Sequence, residues 1–131
     1  MKLKHTLFVL AALFCAIPSH AGRIVLDSLN STTLSSKVYF NVYLPDGHSR
    51  DGAHYPLTFL LHGLYGTHED WPAHLKPIAD VLMASGEACK MVIVMPNAGG
   101  ADIKHVQNGY FNMPGRSYED FFFNELIPYV E

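Results

Sequence analysis

The amino-acid sequence predicts an α/β fold: a mostly parallel sheet with an antiparallel N-terminal start. Three observations carry that expectation. Leu57-Thr58-Phe59-Leu60-Leu61 and Met91-Val92-Ile93-Val94-Met95 are short apolar runs of strand length, as expected of strands buried on both faces of a parallel sheet. Some 30 residues with helical character separate them, which makes a βαβ unit. Upstream, Lys37 to Leu44 alternates with a period of two, the pattern of a strand with one buried face.

The chain opens with a different kind of segment. Lys2 and Lys4 give a positive start, Leu7 to Ile17 is apolar, and Ser19-His20-Ala21 places small residues before a cut. This is the three-part pattern of an export leader. The apolar run is shorter than the roughly 20 residues needed to span a bilayer. Residues 1–21 are therefore expected to be removed, with no stable membrane insertion afterwards and a secreted or periplasmic product. Residues 22–131 form the domain. The leader holds two lysines and no acid, so its loss takes the net charge from −3 to −5. A mildly acidic domain is a poor nucleic-acid binder, which needs a basic face. Hydrophobic residues make up 49% of the chain, too many for a disordered tail. Cys89 alone remains after the leader. It has no internal disulfide partner and is expected to be a small buried hydrophobe, a reactive thiol being the alternative reading.

Arg23 to Leu29 is the first expected strand. In the second, Val38, Phe40, Val42 and Leu44 point one way, and Lys37, Tyr39, Asn41 and Tyr43 the other. Pro45 to His54, with Asp46-Gly47 and Asp51-Gly52, is a turn-rich loop. Helical material follows Leu61: Trp71 to His74, then Pro77 to Ser85 with Ile78, Val81 and Leu82 on one face. Pro77 suits a first helical turn, and Gly86 suits the exit. Pro96 to Arg116 is a loop long enough to be functional. Ser117, with Asp120 three residues on, resembles a capping box. The helix it starts would align Tyr118, Phe122, Leu126 and Tyr129, with Pro128 bending or ending it. The elements run out at Glu131 with no closing strand, as expected of the N-terminal half of a larger domain.

One motif carries chemistry. His62-Gly63-Leu64-Tyr65-Gly66 lies between a buried strand and a helix. A glycine-bearing turn at the carboxyl end of such a strand can present backbone N–H groups to a ligand. Gly63 would permit the geometry and the Leu64 N–H would be the donor. A tight βα turn with a satisfied histidine is the alternative reading. His62, His68, Glu69, Asp70 and His74 match no zinc signature; no metal and no cofactor is expected, and the acids suit a helix start.

Val42-Tyr43-Leu44-Pro45, Tyr55-Pro56-Leu57 through Gly66, Trp71, Val92 to Asn97, Tyr118-Glu119-Asp120-Phe121 and Glu125 to Tyr129 together resemble the esterase D-like or putative esterase family over residues 38 to 131. The resemblance implies a partial α/β-hydrolase fold and a serine carboxylesterase acting by acyl transfer. Leu64 would supply an oxyanion-hole N–H. His62 and Tyr65 would contact a small-molecule or carbohydrate-linked ester; the long loop would lie by the same face of the sheet, where Asn97, Tyr110 and Phe111 either bind the substrate as walls of an acyl or alcohol pocket or are ordinary surface packing. The family's G-x-S-x-G elbow, acid and histidine are missing from these residues. Gly115-Arg116-Ser117-Tyr118-Glu119 lacks the last glycine, and no histidine follows it, against the Ser, acid, His order of the fold. The chain alone is thus expected to be inactive. Two other readings remain: a non-catalytic carbohydrate- or lipid-binding module, and an acyltransferase.

Overall fold

The computed structural model describes residues 21–99 and 109–131. The leader expected at 1–21 lies, but for Ala21, outside them. Strand β1 spans Arg23–Ser31, β2 Ser36–Leu44, β3 Leu57–Phe59 and β4 Val92–Pro96; helix α1 spans Pro72–Ser85. The strands form one sheet in the order β1-β2-β4-β3. β1 pairs antiparallel with β2, β2 antiparallel with β4, and β3 parallel with β4. The sheet is therefore mixed, and only its β3–β4 ladder is parallel, so the mostly parallel sheet expected from the apolar runs is not confirmed. A small hairpin, β5 (Asn112–Met113) and β6 (Arg116–Ser117), leads into a C-terminal helix. That helix is α-helical at α2 (Tyr118–Phe121), widens to a π-turn at Phe122–Leu126 and closes as α3 (Ile127–Val130).

The two helical elements cover opposite faces of the sheet. Val38, Phe40 and Val94 pack under Tyr118, Phe121 and Leu126 of the C-terminal helix. Tyr43, Ile93 and Met95 pack against Ala79 of α1, with Trp71, Leu75 and Met83 beside them. Alternation along β2 and β4 sends successive side chains to these two cores. This revises the reading of β2. Its second face, expected to be solvated, is buried at Asn41 and Tyr43 because α1 lies over it. In β3, Thr58 is exposed and its neighbours only half-buried. Among the described residues β3 is the last strand in the order, with β4 as its one strand neighbour.

Three further expectations change. Helix α1 begins at Pro72, with Pro77 inside it rather than at its start. Its sheet-facing residues are Leu75, Ala79 and Met83, spaced by four, which leaves Ile78 and Val81 exposed. Gly86 does close it, in the left-handed conformation at φ 80°. Ser117 precedes α2 but makes no side-chain cap. Asn112 does that work from the hairpin: its Oδ1 accepts the Asp120 N–H at 3.1 Å, and its Nδ2 donates to Asp120 Oδ1 at 3.0 Å. Cys89 is exposed, not buried. Among the described residues no helix is long and apolar enough to cross a membrane.

Candidate active site

Strands β3 and β4 run parallel, so their carboxyl ends lie side by side and the chain leaves both at one edge of the sheet. Crevices at the carboxyl ends of parallel strands are where α/β folds place ligands. After β3 the Leu60 N–H still bonds to the Val94 carbonyl at 2.9 Å. The segment then turns: the Gly66 N–H donates to the Gly63 carbonyl at 3.0 Å, closing a four-residue turn. Tyr65, the third residue, has φ +62°. That position in a type II turn favours glycine or asparagine, and an ordinary side chain there costs about 1–2 kcal/mol.

His62 holds this turn in place. Its imidazole is buried, and Nε2 accepts the Ala98 N–H from the end of β4 at 3.0 Å. Nδ1 must then carry the hydrogen, and it donates to the Gly63 carbonyl at 2.8 Å. Both ring nitrogens are committed to backbone, which leaves neither for a ligand. The His62 N–H donates to the Tyr110 hydroxyl at 2.8 Å, and that hydroxyl lies 3.3 Å from the His62 carbonyl, to which it donates. Burial pushes the Tyr110 phenol up to about 12, the His62 hydrogen bond opposing and the charge of Asp70 assisting. The phenol therefore stays protonated across the ordinary pH range. One residue earlier, the Trp71 indole donates to the Leu61 carbonyl at 3.1 Å. Gly66 is buried against the same loop; a Cβ there would strike the Asp70 carboxylate and come within 3.1 Å of Gly63 O and His62 Cβ.

The second wall is built from the start of the long loop. The Asn97 Oδ1 accepts the Gly99 N–H at 3.1 Å, its N–H donates to the Tyr39 carbonyl at 3.2 Å, and its carbonyl accepts the Tyr118 hydroxyl at 3.1 Å. Arg116 donates from its guanidinium to the carbonyls of Ala98 (2.5 Å) and Gly109 (3.3 Å) and lies over the Tyr118 ring. The two ends of the loop are thereby drawn together.

Against this frame, Leu64 and Tyr65 are the exposed members, at 66% and 63%. Among the described residues the Leu64 N–H has no acceptor. An unpaired amide on a pinned turn, at the carboxyl edge of parallel strands, can donate to an oxygen that gains negative charge. Of the residues singled out in the sequence, His62, Asn97 and Tyr110 are brought together as the frame. Leu64 and Tyr65 face solvent, as does Phe111. Neither a positive φ nor a close neighbour requires glycine at 63, where a Cβ would meet nothing; the unusual backbone is at Tyr65. Trp71, Ala98, Asn112 and Arg116 are framework residues that spacing alone missed. Only Trp71 carried a signal, through the family resemblance. Among the described residues no three His, Cys, Asp or Glu side chains converge as a metal site would require.

Comparison with known proteins identifies the family and the fold. A family model described as Putative esterase matches residues 31–131. A ferulic acid esterase structure superposes with TM-score 0.77 at 44% identity, over 86% of this chain and 43% of its own. A serine-to-alanine mutant of the feruloyl esterase module from Clostridium thermocellum, complexed with sinapinate, gives 0.66 at 26% identity, over 86% and 36%. An S-formylglutathione hydrolase from Agrobacterium tumefaciens shares the fold, with TM-score 0.59 at 22% identity over 85% and 43%. The chain thus spans about two fifths of the length of these structures.

Proposed function

Since the chain belongs to the Putative esterase family, we propose that it forms the oxyanion-binding half of an exported serine carboxylesterase, with hydroxycinnamate esters as the favoured substrate class. The single observation that carries this reading is the Leu64 N–H, without an acceptor among the described residues, on a turn fixed from three sides by His62, Tyr110 and Trp71. The similarity to a ferulic acid esterase supports the aromatic acyl group, and the exposed Leu64 and Tyr65 side chains offer apolar surface beside the donor.

In this mechanism a serine from the remainder of the fold attacks the ester carbonyl, and a histidine takes its proton. The carbonyl oxygen becomes an alkoxide, and the Leu64 N–H donates to it. Collapse expels the alcohol, which takes the proton back from the histidine. Water then attacks the acyl-serine by the same route and releases the acid. The turn need not move, because His62 and Tyr110 have oriented the donor before substrate arrives; such pre-set dipoles stabilise charge without reorganisation cost. His62 acts as a positioning residue in this reading, and Asn97 and Tyr110 shape the wall. No G-x-S-x-G segment occurs in the 131 residues, so the chain by itself turns over no ester. The leader directs it to the periplasm or beyond.

The test compares the 131-residue chain with a full-length protein that joins it to a nucleophile-bearing second half. Both are assayed on p-nitrophenyl acetate and methyl ferulate. Hydrolysis by the full-length protein only, with methyl ferulate among its substrates, is expected. Equal turnover by the chain alone would overturn the assignment, as would a full-length protein that binds ferulate esters and releases no acid.

A further inference from the structure

On the α1 face of the sheet, away from the candidate active site, Asp80 gathers three donors. The Gly22 N–H reaches its Oδ1 at 2.8 Å, the Tyr43 hydroxyl reaches the same oxygen at 2.9 Å, and Lys76 Nζ reaches Oδ2 at 2.5 Å. Gly22 is buried, although Ala21 before it is exposed. Its Cα is pressed against β2: a Cβ would lie 2.5 Å from the Tyr43 hydroxyl and 2.6 Å from the Leu44 carbonyl. Only glycine fits. A cavity of about 230 Å3 opens beside it, lined also by Asp46, Met83 and Lys90. Burial favours the neutral form of Asp80, yet its donors, Lys76 first, hold the carboxyl below its ordinary range.

The leader pattern independently ends at Ala21, one residue before this glycine. That pattern is defined by the residues before the cut; the demand for glycine after it comes from the fold. We propose that hydrolysis of the Ala21–Gly22 bond during export seats the new α-ammonium of Gly22 on Asp80, so that the processed N-terminus becomes a structural ligand locking β1 to α1. Water adds across the peptide bond. Ala21 leaves with the carboxylate, and the Gly22 nitrogen takes a proton. A neutral N–H donor becomes a cation, and a charge-assisted hydrogen bond is roughly twice as strong as a neutral one. Asp80 then lies between two cations, Gly22 and Lys76, with Tyr43 on the shared oxygen and the Asp46–Lys90 pair across the cavity.

The inference rests on the export reading, and the experiment separates the two. The chain is expressed with its leader in a bacterial host, and the mature N-terminus is read by intact mass. The α-amino group is then titrated by pH-dependent acetylation with mass-spectrometric readout. Gly22 is expected as the first residue, titrating above about 9, against about 8 for an unpaired α-amino group. Asp80→Asn should return it to about 8. A chain that begins at Ala21 keeps Asp80 but should also titrate near 8, and should melt several degrees lower. A first residue other than Gly22 overturns the processing step. Gly22 titrating near 8 in the unsubstituted chain overturns the ammonium seat and leaves export standing.

Discussion

Leu64→Pro removes one hydrogen from the backbone and little else. Leu64 is the second residue of the 63–66 turn, and among described non-glycine residues only Ser35 and Tyr65 have positive φ. Proline is common at that place in a type II turn. The preceding residue is glycine, with no Cβ to clash with the proline ring. The leucine side chain is 66% exposed, so its loss gives up little burial. The Leu64 N–H has no acceptor among the described residues, so no hydrogen bond of the fold is broken. Restricting the unfolded chain should instead stabilise by about 0.4–1 kcal/mol. Catalysis should respond in the opposite direction. Loss of one oxyanion donor costs about 3–4 kcal/mol, on the order of 10²–10³ in kcat. An interaction made chiefly in the transition state lowers kcat while KM holds. The assay is steady-state hydrolysis of methyl ferulate by the full-length protein, with thermal melts of each variant beside it. Leu64→Ala keeps the N–H and should hold kcat within about threefold of the parent, the loss of apolar surface beside the donor appearing in KM. A proline variant that melts like the parent and keeps its kcat within the same margin would refute the assignment of the donor.

Other variants probe the frame. Tyr110→Phe leaves the His62 N–H without its 2.8 Å acceptor, which should destabilise by about 1–3 kcal/mol, read as a fall in the urea midpoint. Gly66→Ala drives a methyl group into the Asp70 carboxylate and against Gly63 O; it should cost about 1–3 kcal/mol as overpacking does, and Gly66→Ala with Asp70→Ala should recover part of the loss in the same melt. At Glu125, burial favours protonation, but hydrogen bonds from Thr32, Thr33 and Ser31 outweigh it and hold the carboxyl at about 2. A carboxyl lowered in the folded state contributes stability that is complete above its unfolded value near 4.5 and is lost as pH falls toward 2. With allowance for solvent screening the contribution is about 1 kcal/mol. Glu125→Gln should flatten the stability curve between those values, and an unchanged acid limb would count against the link.

Strands β1, β2 and β4 were legible because their signals are local: alternation in β2, an unbroken apolar run in β4. The stop of α1 at Gly86 was equally local. The faces of the two helices were not. In α1 three apolar residues at helical spacing, Ile78, Val81 and Leu82, competed with the stripe Leu75, Ala79 and Met83. The sheet selected the second because Ala79 is small enough for close approach, so Ile78 and Val81 stayed outside. In the C-terminal helix the π-turn at Phe122–Leu126 inserts a residue into the repeat. Tyr118, Phe121 and Leu126 are buried, while Tyr129 of the expected stripe is half exposed. Pro128, two residues on, has no N–H to continue the ladder, and a periodic reading has no way to carry that shift forward.

The site divides along the same line, and the division says what a sequence can hold. The 63–66 turn and the histidine before it are five consecutive residues, so a turn at this place could be read. Its aim could not, because every constraint on it arrives from a distance: Ala98 and Tyr110 lie 36 and 48 residues from His62, and Trp71 lies 10 from Leu61. His62 illustrates the consequence. As a histidine before a candidate oxyanion glycine it resembled a ligand contact, yet both ring nitrogens are spent on backbone groups of two different strand ends. A buried imidazole so engaged can fix the separation of the β3 and β4 loops, and therefore the distance between a donor on one and a substrate wall on the other. Replacing it with glutamine, which can offer one acceptor and one donor but at a different spacing, should leave a folded protein whose oxyanion geometry is displaced. Loss of kcat greater than the loss of stability, measured together in the full-length protein, is the expected signature. Parallel losses would make His62 a fold residue alone.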